Sequence, residues 1–246
     1  MITYFKYELL RTVRNRQTFI FTLLFPLVFY FLIAAPNKND HNFSDIPGLW
    51  APQYYMISLL GFAGIIAATS GGARIAAERQ VGWNRQLRIT PLSARTYLAA
   101  KIGIGYVLVV LAIALLYILG ISMGVRLDAA TWIVMTLLVL LSLVPFAALG
   151  IAIGHLVRDD AIGPIMGGGT SILAFLGGSW FPITGDGWFP AVCKLLPSYW
   201  VVQAGHIGLG GSKNPWGLQG WIVVAFWTLA LTGFAIWAYS RDTKRA

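Results

Sequence analysis

The sequence predicts an all-α polytopic membrane protein with six transmembrane helices, and three observations carry that reading. Hydrophobic residues make up 57% of the 246 and charged residues only 11%, where a soluble domain has about a quarter of its residues charged. Mean hydropathy is +0.70. The charges that do occur collect at the ends of long apolar runs rather than within them, and the basic ones favour alternate connections. Six spans with short connections use nearly the whole length, so the chain reads as a single transmembrane domain, 1–246, with no independent soluble domain.

In chain order, residues 1–17 read as an amphipathic helix lying on the membrane. Ile2, Phe5, Leu9 and Val13 recur at helical spacing, with Leu10 beside them. Tyr4, Tyr7, Glu8, Arg11 and Arg14 fall on the other side, where anionic lipid attracts the basic groups. The first span is Thr18–Ala35, kinked at Pro26. Its apolar run is longer than the ~7–15 residues of a signal-peptide core, so it is expected to be retained. A polar outer segment, 36–48, leads to span two, Leu49–Gly72, entered through the aromatic belt Trp50, Tyr54 and Tyr55. Small residues (Gly61, Gly64, Ala67, Ala68, Gly71, Gly72) on its inner half predict close helix packing.

The stretch Arg74 to Lys101 is the longest polar interval and holds six of the eighteen basic residues. It must lie in water, and its charge puts the loop 74–100 in the cytoplasm. Span two is expected to continue through Arg74 and Glu78 until Gly82 interrupts it. Residues 83–88 form a turn or two, Thr90-Pro91 stops them, and Pro91 or Ser93 opens the next helix. The result is a knuckle projecting from two spans, with Trp83 and Leu87 as apolar anchors for a partner. A solvated basic loop touching lipid headgroups is the plainer alternative.

Span three, Ile102–Met123, holds no charge. Span four is Ala129–Gly154, with Pro145 inside, and span five is the glycine-rich Ala161–Gly178. Gly163 and Gly167 have the small-xxx-small spacing of helix or dimer packing. Residues 179–211, rich in proline and aromatics, are too broken to span and too apolar for an exposed loop. They read as a re-entrant hairpin on the outer side before span six, Leu218–Tyr239. Presumed inner segments then carry fourteen of the eighteen basic residues, leaving Lys38, Arg126, Lys194 and Lys213 outside, so both termini are cytoplasmic.

A net charge of +9 would raise nucleic-acid binding in a soluble protein. Here the basic residues are topology signals, and no nucleic-acid partner is expected. No phosphate-binding loop occurs, so this chain is not an ATPase and no catalytic residue is assigned. His155, Asp159 and Asp160 read as a polar cytoplasmic turn and not as a metal site. The spans contain no ionisable residue, which argues against membrane-embedded acid–base chemistry and a proton-coupled carrier. Lone Cys193 excludes an internal disulfide.

The segment Glu78-Arg79…Gly82…Leu87-Arg88-Ile89-Thr90-Pro91-Leu92-Ser93 resembles the connection between spans two and three of the type-2 ABC-exporter permeases. Gly177-Gly-Ser-Trp-Phe-Pro182…Leu196-Pro197-Ser-Tyr199-Trp200 is similar to the region before the last span in their drug-exporter branch. The resemblance implies a bacterial plasma-membrane permease moving a lipophilic drug, antibiotic or lipid-like substrate outward. It implies a homo- or heterodimer of permease subunits in membrane lipid, with ATP and Mg on cytoplasmic ABC ATPase subunits and no cofactor in this chain. The coupling loop would dock through Glu78, Arg79, Gly82, Trp83, Arg85, Leu87, Arg88, Thr90 and Pro91. Phe175, Trp180, Phe181, Tyr199 and Trp200 are the candidates for the substrate path. A non-transporting sensor or immunity protein that binds an antibiotic or signals to a kinase is the alternative.

Overall fold

The computed structural model describes residues 2–42, 50–83, 86, 89–90, 92–185, 187–206 and 216–245. Helices account for about four-fifths of them. Four are long and apolar enough to cross a membrane: α4 (Ala51–Gln80), α5 (Ala94–Met123), the pair α6 (Ala129–Ser142) and α7 (Val144–Leu156), and α12 (Gly217–Arg245). Two shorter apolar stretches, 20–34 and 160–176, stand where the sequence predicts spans one and five.

Both shorter stretches are broken in the same way. The first comprises α2 (Arg16–Phe19), a π-turn (Ile20–Leu24) and α3 (Phe25–Ala34), with Pro26 just beyond the π-turn. The second comprises α8 (Asp159–Pro164), a π-turn (Ile165–Gly169) and α9 (Thr170–Leu176), with Pro164 just before the π-turn. In the first, Pro26 lacks an N–H and its ring crowds the carbonyl one turn back, at Thr22 inside the π-turn, so the ladder widens there. Hydroxyls fill the gap in the second case. Thr170 donates to the Met166 carbonyl, and Ser171 Oγ donates to the Gly167 carbonyl at 2.8 Å.

Local signals fix the long helices. Ser93 caps α5, its Oγ accepting from the Thr96 N–H at 3.2 Å, and Gly124 closes that helix at φ +107°. Asp128 caps α6 by accepting from the Thr131 N–H at 3.0 Å. Pro145 sits in the first turn of α7, where it separates α7 from α6 within one predicted span.

The core is built on α4, which is buried on nearly every side between α3, α5 and α7; α12 packs on the far side of α7. Glycines set the closest crossing. A methyl at Gly72 would stand 2.0 Å from the Gly150 carbonyl oxygen, and one at Gly154 would stand 2.6 Å from that of Gly72. Gly64 and Gly61 meet Leu143 and Val202 in the same manner, so the small inner half of span two does what its composition predicts. Gly163 and Gly167 do not: nothing lies within 4 Å of a methyl at either one. They pack no helix of this chain among the described residues.

In place of a spanning helix, the predicted hairpin region holds two short helices, α10 (Trp188–Cys193) and α11 (Pro197–Gln203). Three indole N–H groups tie this region together, Trp200 to the Lys194 carbonyl (2.9 Å), Trp216 to that of Trp200 (3.0 Å) and Trp227 to that of Leu195 (2.8 Å).

Candidate functional site

The predicted knuckle grows from the C-terminal end of α4, where Glu78 and Arg79 face opposite ways. Glu78 is 1% exposed. Its Oε1 accepts from Lys101 Nζ at 2.5 Å and from the Arg11 guanidinium at 2.8 Å, and its Oε2 accepts from the Tyr97 hydroxyl at 2.7 Å. Lys101, wholly buried, also donates to Glu8, and the Arg74 guanidinium stands 3.8 Å from the same Glu8 oxygen. Two carboxylates thus meet three cations drawn from α4, α5 and the N-terminal helix α1 (Ile2–Arg14). The buried Tyr4 hydroxyl borders them; burial, with Glu8 and Glu78 beside it, keeps it protonated well above the ordinary tyrosine range.

Arg79 turns to the other side. It donates to the Gly154 and Val157 carbonyls at 3.1 and 3.3 Å, satisfying the free end of α7, and pairs with Asp242 of α12 at 2.8 Å. His155 Nδ1 lies 2.8 Å from the other Asp242 oxygen, and its ring meets Tyr239 edge-on at 5.2 Å. One dipeptide therefore joins the ends of α1, α4, α5, α7 and α12. Breaking a buried ion pair by removing one partner costs about 3–5 kcal/mol, so this end of the bundle is held stiffly.

Beyond the hub the chain changes character. Gly82 takes φ +69° and its N–H donates to the Arg79 carbonyl at 3.1 Å, closing α4 with the left-handed turn that glycine adopts without strain. Val81, Trp83 and Ile89 are then 73%, 41% and 89% exposed. Large apolar side chains thus stand outside on a polar loop, and two of them, Val81 and Trp83, follow the ionic clamp within a turn.

Several expectations change against this geometry. Glu78 and Arg79, read as partner contacts, are engaged within the chain; Glu78 has no surface left to offer. Trp83 and Thr90 do face outward, while Arg85, Leu87, Arg88 and Pro91 lie outside the described residues. The N-terminal helix departs from expectation at Glu8, which turns into the protein with Thr12, while Tyr7, Arg11 and Arg14 of the same expected polar face stay exposed, as do Leu10 and Val13. His155 is no surface turn residue but a buried one at the end of α7. Glu78 and Lys101, assigned to water at the span ends, lie buried. Lys101 was legible, sharing a helical stripe with buried Ile104 and Leu108 at i+3 and i+7. Asp242 carried no such signal, being one charge in a basic tail.

The outer aromatics divide in two. Tyr199 and Trp200 are 8% and 5% exposed, so the chain itself covers them. Trp180 packs between Phe29 and Phe62, at 5.9 and 5.5 Å. Phe175 and Phe181, edge-on at 4.8 Å, are the half-exposed pair.

Comparison with known proteins agrees with the arrangement. A family model described as "ABC-2 type transporter" matches residues 1–209. The chain is 29% identical over 206 residues to "Putative transport permease YvfS" of Bacillus subtilis (strain 168), covering 82% of this chain and 80% of that protein. No solved structure matches at a significant level.

Proposed function

The chain belongs to the ABC-2 type transporter family, whose members work with an ATPase, and from that premise we propose that it is the permease subunit of an ATP-driven exporter. Its cargo is a lipophilic drug, antibiotic or lipid-like molecule carried outward across a bacterial plasma membrane. In this reading the four long helices and the two proline-broken ones make six spans, α1 lies on the cytoplasmic face, and residues 179–211 re-enter from outside. Two such subunits form the pathway, and a separate cytoplasmic subunit holds ATP and Mg.

One observation carries the coupling role: the exposed apolar side chains of Val81 and Trp83 follow within four residues of the ionic hub of Glu78 and Arg79. Docked side chains transmit force only if their mount is stiff, and here the mount grips five helices at once. When the ATPase subunits close, movement of the knuckle is passed to α4 and, through Glu78 and Lys101, to α1 and α5. Phe175 and Phe181, on the glycine-rich segment, are the aromatics left to meet an apolar cargo.

The test is made on the complex purified with its ATPase. Trp83→Ala removes an exposed ring, so the permease should keep its thermal stability while cargo-stimulated ATP hydrolysis and transport fall together. Gly82→Pro, which can neither hold the left-handed turn nor donate to Arg79, should lower stimulation and transport by displacing the knuckle, with some loss of stability. Undiminished stimulation and transport in both variants would refute the coupling role. Isolation of the chain with no ATPase at all would favour the sensor reading.

A further inference from the structure

Beside the hub, α5 and α12 flank α7 without closing over it, leaving an open groove of about 540 Å³. Leu98, Ile102 and Tyr106 form one wall and Thr232 and Ile236 the other. The floor owes its depth to two small residues of α7, Ala147 and Ala148. At 1.5 Å per residue the stretch from Leu98 to Tyr106 runs about 12 Å, most of the ~15 Å of one bilayer leaflet. That is the shape of a single acyl chain lying along the helices.

The mouth of the groove supplies a charge. Arg95 is three residues before Leu98 and seven before Ile102, so it continues the same helical stripe one turn nearer the water. It is exposed, and no carboxylate among the described residues pairs with it. A solitary guanidinium above a leaflet-deep apolar slot complements an anionic headgroup above its acyl chain.

We propose that this groove is a binding site for one anionic phospholipid, its acyl chain over Ala147 and Ala148 and its phosphate on Arg95. The lipid fills the cleft between α5 and α12 and so ties them together at the end where the hub lies. The assignment needs only that the chain sits in a bilayer and does not depend on what it transports.

The experiment uses the full chain, without an ATPase, in nanodiscs of equal phosphatidylglycerol and phosphatidylcholine, with native mass spectrometry reading the lipid retained on release. The wild type should keep one lipid per chain, with phosphatidylglycerol favoured about fivefold, the ratio expected for one arginine near an anionic group. Arg95→Lys should keep that preference and Arg95→Ala should abolish it. Thr232→Trp, which fills the slot from an exposed position, should abolish retention of both lipids. Helix content and monodisperse elution verify the fold of each variant. Equal retention of the two lipids by wild type, an unchanged preference in Arg95→Ala, or undiminished retention in Thr232→Trp would each overturn the proposal. So would disulfide cross-linking of Thr232→Cys between two copies, which would give the groove to a partner chain.

Discussion

The chain has two glycine-rich crossings with the same spacing and opposite surroundings. At the α4–α7 seam, Gly72, Gly150 and Gly154 are pressed against backbone so closely that a methyl at Gly150 would lie 2.5 Å from the Thr69 carbonyl oxygen. From Gly163 to Gly169, methyls on Gly163, Gly167, Gly168 and Gly169 would meet nothing within 4 Å among the described residues. Small-xxx-small spacing thus reports that backbones are able to approach, and says nothing of which backbone does. The first seam is used up inside the chain and sets its core. The second is left open, and in the proposed dimer it is the surface free for a second subunit.

The sharpest way to break that contrast is to put bulk into the closed seam. Gly72→Leu directs a side chain into the Gly150 carbonyl, a backbone atom that cannot swing aside. The helices must separate, and the packing of α7 and α12 beyond them is lost with the contact. Overpacking usually costs about 1–3 kcal/mol, and a backbone collision sits beyond that range. The expected outcome is failure to recover monodisperse protein, read by fluorescence-detected size exclusion. The same substitution at Gly167 should leave the monomer's elution unchanged. Equal behaviour at the two sites would erase the distinction.

A smaller effect, confined to one end of the seam, is expected at the hub. Lys101→Met leaves Glu8 and Glu78 facing each other without their shared cation and should cost about 3–5 kcal/mol, measured as a lowered unfolding midpoint in detergent. Adding Glu78→Leu should return part of that loss, because the stranded charge goes with it. A double variant as unstable as the sum of its singles would mean that the two residues do not act as a pair.

Much of the architecture could be read from the sequence because its signals are local. Ser93, Asp128 and Gly124 cap helices as their types suggest, and Gly82 ends α4 where the helix was expected to stop. The hub could not be read in that way. Glu78 and Arg79 are neighbours in a basic, water-facing stretch, and nothing within a few residues reveals that one meets Lys101 and the other Asp242, 163 positions on. The polar face of α1 was visible, but the inward turn of Glu8 was not. Charge opposite apolar residues fits lipid headgroups as well as it fits a buried carboxylate on a neighbouring helix. Tyr199 and Trp200 misled for a related reason, since Trp216, whose indole N–H bonds the Trp200 carbonyl within the same buried core, lies sixteen positions on.

The gentlest change separates the two crossings by sign. Gly167→Ala adds a methyl to an open surface and replaces the residue least suited to a helix with the one best suited, a gain of up to ~1 kcal/mol. The π-turn tempers that gain, because the Met166 and Gly167 carbonyls are already held by Thr170 and Ser171. A monomer in detergent should therefore unfold at the same temperature or slightly higher, whereas Gly150→Ala should unfold lower. If the open segment is where two subunits meet, the same Gly167→Ala chain should also show a weaker dimer by light scattering or cross-linking. Stability and association would then move in opposite directions, which only a surface used between chains explains. A variant with an unchanged dimer would place the subunit interface elsewhere and leave Gly167 as a hinge beside Pro164.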